Sequence, residues 1–574
     1  MLAMGVLGSL AAPVAGRAQP GESFAAPYDL LIAGGRVVDG TGSPWFRADV
    51  AIRGDRIAGI GRNLGRARDT LDATGMIVAP GFIDMLGHSE FRLLADGRAI
   101  SKITQGVTTE ITGEVSSVVP TGERAREERR GEIATWGIEY AWDDLDGYLA
   151  ELERRGIAIN LGTWVGLSSL RVDAVGWENR PATAAERTAM RAELETAMAQ
   201  GAFGLSSGLI YSPGSYAPTE EIVELARVVG RGGGIYATHM RSEGDRLLEA
   251  IDEAVAIGER SGAPVLIHHL KASGRRNWGR MAGAVERIEA ARARGLDVMA
   301  SVYPYTASST GLDQVLPSWV RTGGDQGTLA RLADPALRDS LEAEMSGRSP
   351  AGDWNLGTSA GGPAGIQIAD VVADSLERYE GMRLDAIARE RGTSPAAAAI
   401  DLLVGDSLKT AAIYFSMSED DLVLALRQPW VMIGGDAGIR GPDGPLSHDM
   451  PHPRAFGTFP RVLCRYTKGV GPSPDEAPEL RVLTLEEAVR RMTALPAARA
   501  GLAERGVLKA GLFADVTVFD PRAVCDRATF EDPRQLAAGI RHVLVNGVPV
   551  LEGGEPTDAR PGRGLRLHPP PATE

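Results

Sequence analysis

Four short apolar runs decide the fold of this chain: AFGLSSGL (residues 202–209), GIYATHM (234–240), PVLIHHLK (264–271) and LDVMASVYPY (296–305). Helical patterns begin between these runs, near Glu220, Asp245 and Met281. Apolar runs of this length that alternate with helices predict a parallel sheet wrapped by those helices. In a chain of 574 residues, the favoured version of that arrangement is a closed (β/α)8 TIM barrel.

The same alternation extends upstream of this stretch. IAINLGTWVG (157–166) is typical of a further strand, and residues 184–200 are typical of a further helix. From about residue 318 to about residue 418 the pattern is less regular and contains RSPAGDWNLGTSAGGPAG (348–365). We interpret this segment as an insertion near the barrel mouth, in a position to act as a lid that excludes water.

Both ends of the chain have strand patterns of another kind. YDLLIAGGRVVDG (28–40) and RADVAIRGDRIAGIG (47–61) stand near one end, and GLFADVTVFDPR (511–522) and IRHVLVNGVPVLEGG (540–554) near the other. Alternating apolar residues with Gly and Asp turns indicate antiparallel sheet. We therefore expect a small β-sandwich made by residues 28–80 and 496–560, and a barrel domain over residues 81–495.

The composition excludes several classes of protein. Apolar residues make up 44% of the chain and charged residues 24%, as in a globular protein. The net charge of −14 and the lack of a dense Lys/Arg run argue against a nucleic-acid partner. The two cysteines, Cys464 and Cys525, fall outside any Cys-x-x-Cys pattern, which excludes a disulfide framework and an all-cysteine zinc site.

The first twenty residues, MLAMGVLGSLAAPVAGRAQP, resemble a signal peptide. This apolar stretch ends in the small residues Ala15, Gly16 and Ala18. It lacks a basic start, so a cytoplasmic location is the alternative to export into the periplasm or medium. No later run reaches eighteen apolar residues, and we expect no membrane span.

Reactive side chains follow several of the predicted strands. His88, His239 and His269 each come after an apolar run, and Asp436 ends another predicted strand, in PWVMIGGDAG (429–438). In a barrel these positions face the C-terminal mouth, where catalytic groups collect. Imidazole is a natural ligand for zinc, and a carboxylate there can move a proton from water to a leaving amine. The competing explanations are a hydrogen-bonded structural histidine and a helix-capping or turn aspartate.

An ordered set of motifs carries a family resemblance between Tyr28 and Gly553. The motifs are GFIDMLGHSE (81–90), GVTTEITGE (106–114), GLIYSPG (208–214), THMRSEG (238–244), HHLKASG (268–274), YPYTASST (303–310), GGDAG (434–438) and HPRAFGTFPRVL (452–463). The set resembles the N-acyl-D-amino-acid deacylase (D-aminoacylase) family of the amidohydrolase superfamily. That resemblance implies a TIM barrel with a small β-sandwich made by both chain ends.

The resemblance also implies roles for single residues. His239 and His269 match the histidines that hold the tightly bound zinc, and Asp436 matches the catalytic aspartate. The positions that match substrate-binding residues are Lys271, Tyr303, Ser309, Arg454 and Tyr211. Among them, Arg454 suits the substrate carboxylate because its planar fork can bind a carboxylate through two nitrogens.

Two departures from the family pattern change the expected metal ligands. The family's His-x-His is Leu86-Gly87-His88 here, so only His88 remains, and a second metal at that place is doubtful. The family's metal-binding cysteine falls at Val115, which cannot ligate. Glu114 is our candidate for the missing ligand, because a carboxylate completes two-histidine zinc sites in other hydrolases.

The assignment of Glu114 requires the strand to end or bulge, since neighbours in a regular strand point to opposite faces. Glu110 is a weaker substitute. His88 remains open between a distant ligand, a substrate hydrogen-bonding group and a satisfied histidine. We expect His268 to pack against helices and His452 to shape the loop that presents Arg454.

The sequence therefore predicts a hydrolase that cleaves the amide bond of an N-acyl-amino acid, of D configuration by resemblance. One zinc ion bound by His239, His269 and Glu114 would activate water, with Asp436 as general base and then acid. The partner is a small molecule bearing a carboxylate. An amidohydrolase of dipeptides, cyclic amides or other carboxylate-bearing amides is the alternative, and a non-catalytic binding protein is a further one.

Overall fold

The computed structural model describes residues 27–346, 356, 360–470 and 478–567. The predicted signal peptide, residues 1–20, lies outside the described residues. Within them, no helix is long and apolar enough to cross a membrane.

The strands are β1 (Tyr28–Val37), β2 (Phe46–Arg53), β3 (Arg56–Gly61), β4 (Ala67–Asp72), β5 (Ile77–Pro80), β6 (Phe82–Asp84), β7 (Val107–Thr112), β8 (Asn160–Thr163), β9 (Val165–Gly166), β10 (Gly204–Gly208), β11 (Ile235–His239), β12 (Val265–Ile267), β13 (Val298–Val302), β14 (Ser308–Gly311), β15 (Ile366–Asp370), β16 (Ala411–Tyr414), β17 (Val431–Ile433), β18 (Val516–Phe519), β19 (Ile540–Val545), β20 (Val548–Glu552) and β21 (Glu555–Pro556).

The α-helices are α1 (Arg92–Ala95), α2 (Ile100–Ile103), α3 (Glu123–Thr135), α4 (Leu145–Arg155), α5 (Leu167–Ala174), α6 (Ala184–Ala199), α7 (Thr219–Arg231), α8 (Leu247–Ser261), α9 (Met281–Ala293), α10 (Gly324–Leu332), α11 (Pro335–Met345), α12 (Leu384–Arg391), α13 (Pro395–Gly405), α14 (Glu419–Leu426), α15 (Arg454–Arg461), α16 (Leu485–Met492) and α17 (Ala494–Arg499).

Parallel strands with helices outside form the barrel, as the alternation predicts. In the described chain, β6, β7 and β8 make one parallel sheet, and β9, β10, β11, β12, β13 and β17 make another. Only Trp164 separates β8 from β9, so these two short pieces act as one barrel strand. The ring closes between β17 and β6, where Gly87 pairs with Ala437 and the Asp436 amide donates to the Leu86 carbonyl at 2.8 Å. The (β/α)8 prediction is confirmed.

Strands from the two chain ends pair with each other beside the barrel. β5 lies antiparallel to β18, and through this contact β1–β5 and β18–β21 form a sheet of nine described strands. Its apolar core draws on both ends, with Ile32 and Val50 packed beside Val516 and Leu544. The ends therefore close into the expected small β-domain, although they are several hundred residues apart.

The insertion is a folded layer with its own core. β14, β15 and β16 form an antiparallel sheet, covered by α10–α13. Its apolar cluster extends from Leu312 to Tyr414 and is separate from the barrel core. The layer starts at Ser308, about ten residues before the expected boundary, because Ser308–Gly311 pairs with β16. A strand of four residues gives little sequence pattern of its own, so the sequence does not separate these residues from the barrel.

The two cysteines form a disulfide, Cys464–Cys525, across 61 residues. The sequence pattern excluded a framework of several bridges and did not indicate this single one. The bridge joins the segment after α15 to the segment after β18, which only the tertiary fold brings together.

Candidate metal and catalytic site

The candidate site lies at the C-terminal ends of the barrel strands. Glu114 follows β7 by two residues, His239 is the last residue of β11, His269 follows β12 by two residues, and Asp436 follows β17 by three. All four side chains are buried. Parallel strands end on the same side of a barrel, so residues far apart in sequence meet at its mouth.

The backbone turns sharply at these strand ends. The φ angles of Val115, His269 and Asp436 are positive, at 65°, 35° and 48°. Residues other than glycine rarely adopt positive φ angles. Such conformations persist only where many surrounding contacts hold the backbone in place, and they concentrate at functional sites. Here the His269 amide donates to Ser301 Oγ at 3.0 Å, and Asp436 is held by the barrel closure.

The turn after β7 explains how Glu114 reaches the site. The strand ends at Thr112, and Gly113 then adopts a φ of 93°. A Cβ at position 113 would lie 2.7 Å from both Thr163 Oγ1 and the Trp164 carbonyl oxygen, so glycine alone fits. Strand alternation no longer applies beyond Thr112, and Glu114 points to the histidines.

Three ligand atoms lie close together at the centre of the site. Glu114 Oε1 is 3.0 Å from His269 Nε2 and 3.8 Å from His239 Nδ1. Ligands of a tetrahedral zinc ion, each about 2.0–2.1 Å from the metal, stand about 3.3 Å apart. Two imidazoles and one carboxylate at these separations therefore fit a divalent ion of the zinc type, with room for a fourth ligand.

Glu243 supports the two histidines from behind. Its Oε1 is 2.8 Å from His269 Nδ1, and its Oε2 is 3.6 Å from His239 Nε2. A carboxylate on the outer nitrogen fixes the tautomer and orientation of a ligating histidine. Burial alone would raise the pKa of Glu243, but His239, Lys271 and His269 together lower it to about 2. Burial lowers the pKa of His239 to about 4, so this imidazole is neutral and able to ligate near pH 7.

A second group of possible ligands shares Glu114 with the first. His88 Nε2 lies 3.3 Å from Glu114 Oε2 and 3.2 Å from Asp436 Oδ1. These three residues also have the proximity needed for a metal ion. His88 is about one-third exposed, unlike the buried histidines of the first group, and Leu86 supplies no ligand beside it.

Asp436 and Arg454 form an ion pair in the wall of the cavity. Arg454 Nη1 is 2.6 Å from Asp436 Oδ2, and Arg454 Nη2 donates to the Ser309 carbonyl at 3.3 Å. The guanidinium also lies 4.7 Å from the centre of the Tyr303 ring. His452 Nδ1 accepts a hydrogen bond from the Arg454 amide at 3.0 Å, the loop-shaping contact expected from the sequence.

The candidate substrate-binding residues converge on one cavity of about 440 Å³. Its walls include Tyr211, Lys271, Tyr303, Ser309 and Arg454 together with the candidate metal ligands Glu114, His239 and His269. The Tyr211 hydroxyl is 3.0 Å from Thr310 Oγ1, and its ring centre is 5.1 Å from that of His239. Lys271 is turned toward Glu243, with Nζ 2.6 Å from Oε1.

Two expectations about neighbouring residues differ from the structure. His268 does not simply pack against helices, because its Nδ1 is 3.2 Å from Oε1 of Glu114, a candidate metal ligand. Glu110 is not a substitute ligand. It accepts from Ser89 Oγ at 2.8 Å and lies 3.3 Å from Lys102 Nζ, in a separate buried ion cluster. Position 110 is within a regular strand, whereas position 114 is beyond the strand end.

Glu243 was missed by the sequence reasoning. It lies four residues after His239 in THMRSEG, past the end of β11, and nothing in a polar loop of this kind distinguishes a buried carboxylate from a solvated one. The available signal was its spacing from His239, since outer-shell carboxylates accompany ligating histidines.

Known proteins similar to this chain share both the sequence and the fold. The chain is 39% identical over 546 residues to a D-aminoacylase of Alcaligenes xylosoxydans xylosoxydans, covering 95% of this chain and 99% of that protein. An N-acyl-D-glutamate deacylase of the same organism is 37% identical, covering 94% and 96% of the two chains. The profile of the Amidohydrolase family matches residues 398–551.

Solved structures agree with these relatives. The N-acyl-D-glutamate deacylase of Bordetella bronchiseptica, solved with zinc and a phosphonate mimic of the tetrahedral intermediate, has a TM-score of 0.76 and 35% identity, covering 94% and 99% of the two chains. A D-aminoacylase structure also has a TM-score of 0.76, at 37% identity and 94% and 100% coverage. A D-hydantoinase from a Thermus species, at 16% identity and a TM-score of 0.52, shares the fold alone. The chain belongs to the N-acyl-D-amino-acid deacylase (D-aminoacylase) family of the amidohydrolases.

Proposed function

We propose that this protein hydrolyses the amide bond of N-acyl-D-amino acids, using one divalent ion, by preference zinc, held by His239, His269 and Glu114. The observation that carries the proposal is the set of three buried ligand atoms, spaced for a tetrahedral ion, beside Asp436. The relatives named for D-amino-acid substrates support the choice of substrate class. The zinc complex of the Bordetella relative supports the choice of ion.

The chemistry divides between the ion and the protein. A bound divalent ion polarises a carbonyl and lowers the pKa of water. Asp436 accepts the proton that the attacking water loses and delivers it to the departing nitrogen, so the products are a carboxylate and a free amino acid. Arg454 holds the carboxyl group of Asp436 ionised, with a pKa below its usual range. The ionised form is the one that a general base needs.

Arg454 is the proposed anchor of the substrate's α-carboxylate. It is buried, and its Nε has no hydrogen-bond partner among the described residues, so donors remain for an incoming carboxylate. Tyr303 and Ser309 hold the guanidinium in place, Tyr211 lines the same cavity, and Lys271 adds a second positive charge. A carboxylate fixed in this way presents one face of the amide to water.

We infer a single working ion because the second group of ligands consists of the partly exposed His88, the proposed general base Asp436, and Glu114, which the first group also uses. A second ion at His88, Glu114 and Asp436 would engage the general base and compete for Glu114. Elemental analysis of purified protein tests this inference, with about one zinc per chain expected. The Glu114→Ala variant should lose it. Two ions per chain would show that the His88 group is a real second site.

We also infer that the protein is exported. The N-terminal segment has signal-peptide character, and the Cys464–Cys525 disulfide supports the inference because disulfides persist in oxidising compartments. Fractionation of cells that express the full chain tests it. Recovery of a shortened chain in the periplasm or medium is the expected result, and an uncleaved cytoplasmic chain would contradict it.

The central experiment compares hydrolysis of N-acetyl-D-methionine, N-acetyl-L-methionine and a hydantoin by wild type and Asp436→Asn. We expect activity on the D substrate and a fall of about 10²–10⁴ in kcat for Asp436→Asn. Glu249→Gln, a change of an exposed carboxylate on α8, is the matched control. Preference for the hydantoin would favour the cyclic-amide alternative, and full activity of Asp436→Asn would overturn the catalytic assignment.

A further inference from the structure

A second, larger cavity lies beside the one that holds the candidate ligands. It has a volume of about 830 Å³, against about 440 Å³ for the cavity that holds the candidate ligands. The two cavities share four wall residues, Arg92, Asp370, Arg440 and Asp449, and are therefore adjacent. Ligand cavities of about 300–1,000 Å³ bind drug-sized molecules. An N-acetylated amino acid leaves the larger cavity unfilled.

The positions of the residues that line each cavity indicate which part of a substrate enters the larger one. Arg454, the anchor for the α-carboxylate, lines the smaller cavity only. Glu114 also lines the smaller cavity, and the residues that follow it, Ser116 and Ser117, line the larger one. With the carboxylate at Arg454 and the scissile carbonyl at Glu114, the acyl group leaves the site on the side of Ser116.

The walls of the larger cavity combine hydroxyls with aromatic rings. The hydroxyl groups come from serines of two segments, Ser116–Ser117 and Ser168–Ser169. The aromatic rings of the lining include those of Trp136 and Trp177. Trp136 already stacks on a cation, since the Arg92 guanidinium lies 5.0 Å from its ring centre. Such walls suit a group with both a ring and polar atoms.

One of these hydroxyls, that of Ser168, has no hydrogen-bond partner in the part of the chain that the structure describes. Ser168 is 3% exposed, and its Oγ makes no hydrogen bond among the described residues. Its neighbours are occupied, because Ser169 Oγ accepts from the Ser117 amide at 2.9 Å and Ser117 Oγ donates to the Val119 carbonyl. A buried hydroxyl left unpaired is costly, and a ligand acceptor in the cavity would satisfy it.

We propose that the preferred substrate carries a large acyl group in this cavity, one that has an aromatic ring and an internal amide or similar acceptor for Ser168. The proposal rests on the proposed deacylase function and deepens it. Hydrolysis proceeds by the same steps, and the cavity binds the portion released as the carboxylic acid.

The test compares N-acetyl-D-methionine with N-(benzoylglycyl)-D-methionine. In wild type we expect kcat/KM to be at least about ten-fold higher for the benzoylglycyl substrate, because even one added methylene group in a pocket can change kcat/KM by about that factor. Ser168→Ala should lower kcat/KM for the benzoylglycyl substrate about three- to ten-fold, which corresponds to the loss of one hydrogen bond. The same variant should not change kcat/KM for the acetyl substrate. Ser375→Ala, at an exposed serine that does not line the cavity, is the control.

Val372 offers a second variant that does not threaten folding. It is 62% exposed and stands on the wall of the larger cavity. Val372→Trp should narrow the cavity and lower kcat/KM for the benzoylglycyl substrate by at least about ten-fold, without change for the acetyl substrate.

The outcomes distinguish a failure of the proposed acyl group from a failure of the deacylase function. Hydrolysis of both substrates at equal kcat/KM, insensitive to Ser168→Ala and Val372→Trp, would overturn the large acyl group while the deacylase function stands. A further comparison uses N-acetyl-D-tryptophan. If its kcat/KM also exceeded that of N-acetyl-D-methionine, and if Val372→Trp lowered kcat/KM for this substrate instead, the cavity would hold the amino-acid side chain. The proposed acyl group would then be wrong. If neither substrate is hydrolysed, the deacylase function is wrong.

Calorimetry of the zinc-loaded Asp436→Asn protein then measures binding to the cavity without hydrolysis. We expect this variant to bind the benzoylglycyl compound more tightly than the acetyl compound, and equal or undetectable binding of both would overturn the proposal.

Discussion

Glu243 should control how tightly the protein holds its metal, although it is not a ligand in the proposed site. Its carboxylate lies 2.8 Å from His269 Nδ1 and 3.6 Å from His239 Nε2, so it orients two of the three proposed ligands. Glu243→Ala removes both contacts and leaves the ligand atoms themselves in place. Loss of such a supporting group costs about 10–100-fold in metal affinity. That factor corresponds to about 1.4–2.7 kcal/mol.

The same change has a second consequence, through Lys271. This lysine is buried, and its Nζ lies 2.6 Å from Glu243 Oε1. Removing one partner of a buried ion pair costs about 3–5 kcal/mol, because the other charge stays buried and unpaired. Glu243→Ala should therefore lower both metal affinity and the free energy of unfolding. Glu243→Gln, which keeps the shape and one oxygen, should fall between wild type and alanine in both.

Metal affinity is best measured by competition with a chromogenic chelator, a readout that does not depend on the substrate. Glu249→Gln on the surface of α8 controls for a change of net charge. If Glu243→Ala is folded and binds zinc within about three-fold of wild type, outside the 10–100-fold expected, the supporting role of Glu243 is refuted. A metal affinity that falls for Glu249→Gln as well would point to long-range charge instead.

Three further predictions concern stability. Gly87→Ala would place a Cβ 1.7 Å from Glu110 Oε1, so the mutant should lose about 1–3 kcal/mol in denaturant unfolding; an unchanged midpoint would contradict this close packing. Replacing Cys464 and Cys525 together by serine should cost about 4 kcal/mol for a bridge across 61 residues, and wild type should show no free thiol until it is reduced and unfolded. Burial and nearby carboxylates raise the pKa of Asp370 to about 8. Its protonated form therefore favours the folded state, and the contribution of Asp370 to stability should fall as the pH rises from about 4 to 8. Asp370→Asn should gain in Tm over wild type as the pH rises through this range, and a constant difference would argue against the raised pKa.

Much of the fold could be predicted from the sequence because its signals are local. Strand runs such as PVLIHHLK alternate with helical segments, and this alternation requires only the spacing of neighbouring residues. The same spacing places His239, His269 and Asp436 at strand ends, which in a barrel all face one mouth. The sequence therefore predicted the barrel and the strand-end positions of the residues that lie together in the structure.

The tertiary structure decided which side chains meet. Glu114 rather than Glu110 reaches the histidines because the chain turns at Gly113, where contacts with Thr163 and Trp164 leave no room for a side chain. Glu243 behind the histidines and the Arg454–Asp436 pair depend on the packing of loops around the mouth. The disulfide and the larger cavity likewise join segments that are distant in sequence. Periodicity reports the conformation of a segment, whereas the direction of a side chain beyond a strand end is set by long-range contacts that no local pattern contains.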